Sequence, residues 1–370
     1  MSSMNALAVI KFGEPARLIQ RPIPTPGAGE VLLKVVAVGC KLPCLYLTSP
    51  SHANLIIVNP YDFRARDFGL FVDPNSLPMV LGNDIAGIVT ALGPDNNDVD
   101  LQIGDLIFGQ SNHGKRTADQ SGLQEFCLLD SYATAKIPSG FTADHGASLP
   151  SNAVAAFWAL FNPAALGLPP PFNADSSQNQ QIEGNSIVIV GGGSNCGRYA
   201  VQFASLSGLF STIVAVAGPR HATALHTLGA THVVDRHGDQ SEVINRVRAI
   251  VGDDCMYVID AVNHEHTLGV ACLSNSRPGR MATLCPGEAD LATIPEKKAG
   301  FTKVFSSGSS QNAPDLARRF WTALPGWLKS GQVKALEWDV INGLNVQAIN
   351  AVWDLYRDGK APNNQVHVHL

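Results

Sequence analysis

The chain has 370 residues, which is too long for one modest core and favours two domains. Its 26 Lys and Arg residues against 31 Asp and Glu residues give a formal net charge of -5 without a run of five like charges, which argues against nucleic-acid binding. No segment reaches the roughly 18 apolar residues of a membrane span and the start lacks a secretory signal pattern, so a cytoplasmic protein without membrane association is predicted.

The first part of the chain is rich in short β-strand patterns. Apolar segments alternate with Gly, Pro and Asp turns up to about Pro138, which predicts a compact antiparallel β domain. Residues 145–161 have helical spacing and predict one connecting helix, which the proline-rich segment 162–172 ends. Polar residues 173–185 are predicted to form a surface loop.

From Ser186 the pattern changes to alternating strands and helices, which predicts a parallel, doubly wound sheet. After about Ala313, two amphipathic helices and a final strand at 365–370 are predicted to return to the first domain. The predicted domains are therefore 1–160, with 39–58 as an atypical insertion, 161–312 and 313–370.

The strongest local signal is SIVIVGGGSNCGRYAVQFA at 186–204. Gly192, Ser194 and Gly197 occupy the positions of a GxGxxG-type turn between a strand and a helix. We expect Gly192 to make the tight turn, Ser194 to allow close backbone approach, and Gly197 to let the helix pack on the strand. With Asn195 and Cys196, these residues are predicted to hold a pyrophosphate at the helix N-terminus.

The end of the second predicted strand indicates which dinucleotide is bound. A site for NADH usually carries Asp or Glu there, about 20 residues after the glycines, to bind the ribose hydroxyls. This chain has Gly218, followed by Pro219, Arg220 and His221. A guanidinium without a competing carboxylate favours the 2′-phosphate, so NADPH is the predicted cofactor.

Outside residues 39–58 the chain resembles the medium-chain dehydrogenase/reductase superfamily. Within it, NPYDFRARD at 59–67, LGNDIAGIV at 81–89 and LYRDGKAPNNQVHVHL at the end are most similar to the zinc-free quinone oxidoreductases and the fungal trans-acting enoyl reductases. The resemblance implies an α/β fold with a GroES-like β-rich catalytic domain and a Rossmann doubly wound parallel-sheet domain beside an active-site cleft.

The same resemblance assigns candidate site residues. Asn59, Tyr61 and Asp62 would line the catalytic cleft, Arg236 would lie near the adenosine phosphate, and Thr283 and Leu284 would lie near the nicotinamide. Arg236 and Gln365 replace the Tyr and Lys of many relatives. The implied substrate wall comprises Leu149, Pro150, Ser151, Asn152, Ala153, Val154, Ala155 and Ala156.

No metal is predicted. Zinc-dependent relatives have a catalytic Cys in the first of these segments and a His-Glu pair in the second, where this chain has Asn59 to Asp62 and Asn83-Asp84. Without Cys or His there, no three-ligand set for a catalytic zinc is available. His367 and His369 share one face of the final strand and are expected to lie solvated at a sheet edge.

Residues 39–58 fall where relatives run almost directly from a strand into the NPxD-type turn. One hypothesis is a retained intron, because Gly39-Cys40-Lys41 can encode a GT-type donor and Ala53-Asn54 a branch sequence. The other is a lid over the substrate, which long loops often form.

The leading functional hypothesis is a zinc-independent, NADPH-dependent reductase of an α,β-unsaturated carbonyl in polyketide-type secondary metabolism. The substrate would be a small molecule or carrier-tethered, a polyketide synthase would be the partner, and the protein would be a monomer or homodimer. Two alternatives stay open: a dehydrogenase or reductase of a simple carbonyl or alcohol, and a catalytically silent NADPH-binding protein.

Overall fold

The computed structural model describes residues 2–40, 61–70, 72–96, 100–112, 117–172, 182–360, 362 and 364–370. The strands are β1 (Ser3–Val9), β2 (Arg17–Pro22), β3 (Glu30–Cys40), β4 (Met79–Val80), β5 (Asp84–Leu92), β6 (Leu106–Gln110), β7 (Phe126–Asp130), β8 (Thr134–Lys136), β9 (Ser186–Val190), β10 (Thr212–Ala217), β11 (His232–Asp235), β12 (Cys255–Asp260), β13 (Gly279–Thr283), β14 (Phe301–Phe305), β15 (Trp338–Asn342) and β16 (Gln365–His369). The α-helices are α1 (Tyr61–Phe68), α2 (Ala143–Ala147), α3 (Pro150–Phe161), α4 (Asn195–Ser207), α5 (Ala222–Thr227), α6 (Gln240–Val251), α7 (Thr267–Cys272), α8 (Pro314–Lys329) and α9 (Val346–Arg357). Among the helices of these residues, none combines the length and apolar character of a membrane span.

The chain divides into two units. The first, the β unit, comprises Met1–Ser151, Ser309–Gly331 and Ala335–Leu370. The second, the nucleotide unit, comprises Asn152–Gly308 and Gln332–Lys334.

Strand β3 is the centre of the larger sheet of the β unit. It pairs antiparallel with β5, β7 and β16, and the sheet runs in the order β15-β16-β3-β5-β6-β8. Val31, Leu33 and Val35 are alternate residues of β3, and all three are buried. Alternate residues lie on one face of a sheet, because successive side chains of a strand point to opposite faces. This sheet, with the smaller sheet β2-β1-β4, confirms the predicted GroES-like β-rich architecture.

The nucleotide unit contains a six-stranded parallel sheet in the order β11-β10-β9-β12-β13-β14. Its central strands β9 and β12 are buried along their whole length, as expected for a sheet with helices on both faces. The predicted Rossmann fold is therefore confirmed. Because the strand order reverses beside β9, the carboxyl ends of β9 and its neighbours form the place where such folds bind ligands.

The single helix predicted over 145–161 is wrong. The structure has two helices there, α2 and α3, separated at Ser148 and Leu149. Pro150 begins α3. It has no backbone N–H with which to continue the hydrogen bonding of α2, and it disfavours the helical conformation at the residue before it.

The expectation that His367 and His369 lie solvated at a sheet edge is also wrong for His367. Strand β16 is an inner strand, because β15 pairs with it in parallel on one side and β3 antiparallel on the other. The His367 side chain is fully buried, whereas that of His369 is 37% exposed.

Candidate functional site

The glycine turn follows β9 in the nucleotide unit. Gly191 has a φ of 77°, and a Cβ atom there would overlap the Val262 side chain. Gly192 packs on the next strand, where an added Cβ atom would lie 2.8 Å from Ala215 Cβ. The tight turn therefore falls at Gly191 and not at Gly192 as predicted, because only Gly191 adopts the left-handed conformation that favours glycine.

Helix α4 begins at the end of this turn. The Ser194 hydroxyl caps the helix by accepting the Gly197 N–H at 3.0 Å. Its role in close approach of the backbone to a ligand stays a prediction. A Cβ atom on Gly197 would overlap the carbonyl oxygen of Gly191, which explains why the helix can pack on the turn only with glycine. Asn195 opens the helix, and the Cys196 thiol donates to Asn152 Oδ1 at 3.3 Å.

This arrangement suits a dinucleotide pyrophosphate. Three successive glycines leave the turn without side chains, and the first N–H groups of the thirteen-residue helix α4 follow directly. The helix dipole and these N–H groups favour an anion at that point.

A cationic cluster lies beside the glycine turn at the carboxyl ends of β10 and β11. We call Arg198, Arg220, His221 and Arg236 the arginine cluster. Arg198 Nη2 lies 3.3 Å from His221 Nδ1, and Arg220 Nε lies 3.1 Å from His221 Nε2. Gly218 begins the 3₁₀ turn that carries Arg220 and His221, and a Cβ atom on it would lie 3.7 Å from Arg236 Nε.

The charges of the arginine cluster affect the pKa of His221. Burial, followed by the charges of Arg198, Arg220 and Arg236, lowers the pKa of His221 from 6.5 to about 4. The imidazole is therefore neutral near pH 7 while three guanidinium groups act on it. Such a concentration of positive charge favours the binding of an anion.

Arg198 was missed by the sequence analysis. It directly follows Gly197 in the first turn of α4, and its guanidinium reaches the end of β10. Its sequence signal is a basic residue immediately after the third position of the glycine turn, whereas the predicted contacts of the 2′-phosphate lie at the end of the second strand.

The two residues predicted beside the nicotinamide lie at the end of β13. Thr283 is buried at the last position of the strand, and Leu284 is half-buried just beyond it. The Leu284 N–H donates to the Asp260 carbonyl at the end of β12, at 2.9 Å. Both residues therefore share the carboxyl edge of the sheet with the glycine turn.

Of the three predicted catalytic residues, only Asp62 has a described side chain. Asn59 lies outside the described residues, as do residues 41–58 of the insertion, and for Tyr61 only the backbone at the start of α1 is described. Asp62 is 1% exposed, and its Oδ1 accepts the Gly82 N–H at 3.3 Å. This contact supports the turn before Asn83 and Asp84.

Asn83 and Asp84 already take part in internal hydrogen bonds of the β unit. Asn83 Oδ1 accepts from the Ser111 hydroxyl at 2.8 Å, and Asp84 Oδ1 accepts the Ser151 N–H at 2.8 Å. Across the part of the chain that the structure describes, no three His, Cys, Asp or Glu side chains are grouped so that they could hold a metal ion. The described residues at this position therefore do not match the donor set of a catalytic zinc site.

The predicted substrate wall lies at the start of α3. In this segment only Ala155 is half-exposed, and the other seven residues are buried. A Cβ atom on Gly308 would lie 2.5 Å from Ala155 Cβ, so Gly308 closely approaches this helix.

Comparison with known families gives two matches. Residues 52–155 match the family described as alcohol dehydrogenase GroES-like domain, and residues 196–320 match the one described as zinc-binding dehydrogenase. Among curated proteins, dehydrogenase orsE of Emericella nidulans is 27% identical over 369 residues, covering 95% of this chain and 94% of that protein.

Two further relatives carry enoyl reductase names. Trans-enoyl reductase tndF of Aspergillus flavipes is 30% identical over 241 residues, 64% of this chain and 61% of that protein. The enoyl reductase component lovC of the lovastatin nonaketide synthase, from Aspergillus terreus, is 26% identical over 264 residues, 70% of this chain and 69% of that protein.

Solved structures share the fold. An alcohol dehydrogenase superfamily protein from Novosphingobium aromaticivorans has a TM-score of 0.72 at 21% identity, covering 99% of both chains. Mycobacterial Rv1454c, solved in complex with NADPH, has a TM-score of 0.69 at 19% identity, covering 99% of this chain and 100% of that one.

Together, the paired families, the two-unit fold and the curated relatives define the class. The chain belongs to the medium-chain dehydrogenase/reductase superfamily, in its enoyl-reductase-like branch. It is an oxidoreductase of that type.

Proposed function

We propose that this protein is a zinc-independent, NADPH-dependent reductase of an α,β-unsaturated carbonyl in polyketide-type biosynthesis. The observation that carries the cofactor assignment is the arginine cluster beside the glycine turn. Three arginines act on His221 at the end of β10, where an NADH site would place a carboxylate. NADPH differs from NADH by a 2′-phosphate, which is the group that these guanidinium groups would bind.

The substrate class is inferred from the relatives. Two of the three curated relatives described above are enoyl reductases by name, and one of them is named as a component of the lovastatin nonaketide synthase. An acyl chain held on such a synthase is a carrier-tethered thioester. We therefore infer a 2-enoyl thioester as substrate and a polyketide synthase as partner.

NADPH would supply a hydride to the β-carbon, and a proton from water would add to the α-carbon to give the saturated thioester. The glycine turn and the start of α4 would hold the pyrophosphate, the arginine cluster would hold the 2′-phosphate, and the segment around Thr283 and Leu284 would receive the nicotinamide. Asn59 and Tyr61 would bind the substrate carbonyl. Asp62 would act as a positioning residue, because its carboxylate accepts a backbone N–H of the turn at Gly82.

The zinc-independent part of the proposal rests on Asn83 and Asp84. Zinc is held in catalytic sites by Cys, His or carboxylate ligands that leave one open position. Asn83 offers an amide, and the described oxygens of Asn83 and Asp84 accept hydrogen bonds from Ser111 and Ser151. Activity should therefore survive dialysis against a zinc chelator.

A second candidate is a dehydrogenase or reductase of a simple carbonyl or alcohol. It is favoured by the match to dehydrogenase orsE, which covers 95% of this chain. The two reactions differ in the carbon that is reduced, so the product distinguishes them.

The test is incubation of the purified full chain with NADPH and a 2-enoyl thioester of a pantetheine analogue, with product analysis by mass spectrometry and NMR. The proposal predicts the saturated thioester, with the hydride on the β-carbon. An allylic alcohol or reduction of ketones alone would favour the second candidate. Binding of NADPH without turnover of enoyl thioesters, ketones or aldehydes would contradict both.

A further inference from the structure

Asn83 directly precedes β5 in the β unit and is only 6% exposed. Its backbone carbonyl accepts the Ser111 N–H at 2.9 Å, and its side-chain Oδ1 accepts the Ser111 hydroxyl at 2.8 Å. Two hydrogen bonds to one residue fix the amide group, so its nitrogen Nδ2 faces away from Ser111. Among the residues that the structure describes, the buried Nδ2 has no hydrogen-bond partner.

A buried amide nitrogen without an acceptor is rare in folded proteins, because its N–H groups have lost their hydrogen bonds to water. An Asn side chain is uncharged, and its nitrogen carries two donors and accepts nothing. The group that satisfies it must therefore offer lone pairs, as a carbonyl oxygen does.

The chain neighbours of Asn83 connect it to two parts of the predicted site. Gly82, whose φ is 94°, donates its N–H to Asp62 Oδ1 at 3.3 Å. On the other side, Asp84 Oδ1 accepts the Ser151 N–H at 2.8 Å. Asp62 belongs to the predicted catalytic segment and Ser151 to the predicted substrate wall. The Asn83 amide is therefore held between the two.

We propose that Asn83 is a further catalytic residue, whose Nδ2 donates a hydrogen bond to the carbonyl oxygen of the enoyl thioester. This inference rests on the proposed function, because the carbonyl belongs to the proposed substrate. It adds a donor to those proposed for Asn59 and Tyr61.

The donor acts on the charge that forms during the reduction. Hydride from NADPH forms a C–H bond at the β-carbon, the π electrons of the C=C bond move toward the carbonyl, and negative charge develops on its oxygen as an enolate. A proton from water then adds to the α-carbon, which gives the saturated thioester and NADP⁺. A donor that is already fixed and buried stabilises this charge without having to reorganise.

Asn83→Asp tests the donor most directly. The substitution keeps an oxygen that can accept from the Ser111 hydroxyl, and it replaces only the NH2 group by a second acceptor. The purified full chain and the variant are compared in reduction of a 2-enoyl thioester of a pantetheine analogue by NADPH, and NADPH affinity is measured separately by fluorescence titration. Asn345→Asp is the matched control, because the exposed Asn345 caps α9 through Oδ1 and Asp caps a helix about equally well.

We expect Asn83→Asp to lower kcat and kcat/KM together by about 10²–10³-fold while NADPH affinity is unchanged. Asn83→Ala, which removes the donor without adding a charge, should give a loss of the same order. Asn345→Asp should leave kcat and NADPH affinity unchanged.

The pH profile provides a readout that a structural role would not change. As the pH falls, the introduced carboxyl of Asn83→Asp is protonated and regains one O–H donor, so part of the lost kcat should return in the folded variant. Negative charge on Asp62 and Asp84, on either side, would favour that protonation. No such recovery is expected for Asn83→Ala.

A kcat close to that of wild type in both Asn83 variants would overturn the inference and leave the proposed function standing, with water as the acceptor of the amide. Parallel losses of kcat, NADPH affinity and unfolding free energy would show a structural role and would also overturn it. If neither variant folds, the infrared carbonyl stretch of a saturated thioester bound to wild type decides, because an unshifted band relative to an apolar solvent would contradict the hydrogen bond. Absence of the saturated product from wild type would overturn the proposed function together with the inference.

Discussion

Cationic side chains are concentrated in two regions of this protein. The two regions differ in the charges that surround these side chains. In the β unit, Arg66 is 2% exposed and paired with Asp67 at 2.6 Å and Asp354 at 2.7 Å, and both His367 and His369 contact the carboxylate of Asp144. In the nucleotide unit, the groups that act on His221 are three arginines. The cations of the first region are paired with carboxylates, whereas the charges that act on His221 in the second region are positive.

The contrast separates a structural role from a binding role. Buried charges stabilise a fold only when they are paired, because an uncompensated charge pays the desolvation cost in full. Cations held close together instead create a positive potential that attracts an anion. The β-unit pairs should therefore affect stability when mutated, and the arginine cluster should affect NADPH binding.

The largest effect on stability is expected for Arg66→Ala. The change leaves Asp67 without its partner and removes the guanidinium that lies 5.6 Å from the Trp353 ring centre and joins α1 to α9. Breaking a buried pair in this way costs about 3–5 kcal/mol of unfolding free energy. Urea unfolding measures this loss of unfolding free energy. Arg17→Ala, which removes an exposed ion pair with Glu14, is the control. A loss below about 1 kcal/mol would show that the network is not structural.

A smaller loss is expected for Asp144→Ala. His367 is fully buried and donates to Asp144 Oδ1 at 2.9 Å, so removal of the carboxylate leaves a buried donor unsatisfied, at a cost of about 1–3 kcal/mol. Asp100→Ala, at a side chain 90% exposed, is the control and should change stability by less than about 0.5 kcal/mol.

The Asp144 effect should also depend on pH. Although burial opposes ionisation, the hydrogen bonds from His367 and His369 hold the pKa of Asp144 below its usual value. A carboxyl with a lowered folded pKa stabilises the fold above its unfolded pKa of about 4, and the contribution disappears as the pH falls through the folded value. The difference between wild type and Asp144→Ala should therefore shrink in acid. A difference that grows in acid would contradict this pairing.

The smallest effect on stability is expected for Arg220→Ala. Its side chain is exposed and lies next to a ring that the cluster already makes harder to protonate, so unfolding free energy should change by less than about 0.5 kcal/mol. NADPH affinity should fall by about 10–100-fold, the value of a charge-assisted hydrogen bond. Lys298→Ala, an exposed cation elsewhere in the nucleotide unit, should change neither quantity. Marked destabilisation by Arg220→Ala would show that Arg220 has a structural role, like that of Arg66.

The sequence was most informative where local geometry admits few residue types. Gly191 is required because its φ is left-handed, and Gly197 is required because α4 packs closely on the turn. The glycine motif therefore predicts the turn. It places the left-handed residue at Gly192, one position too late. The alternation of strands and helices likewise predicted the parallel sheet, because each crossover needs a helix.

What the sequence missed depends on contacts between distant segments. The burial of His367 follows from β15 pairing outside β16 and from Asp144, which is 223 residues away in the chain. Arg198 was missed because its role depends on the direction of its side chain toward the end of β10. The apolar spacing does not predict the break between α2 and α3, because it continues across the break, and the local signal for it is Pro150.

Binding of the 2′-phosphate of NADPH by the arginine cluster is the central element of the proposed function. The most direct measurement is fluorescence titration of wild type and Arg198→Ala with NADPH and NADH. We predict that wild type binds NADPH at least about tenfold more tightly than NADH, and that Arg198→Ala loses this preference while keeping its affinity for NADH. Equal affinity of wild type for the two cofactors, or an equal loss of both in Arg198→Ala, would contradict the account.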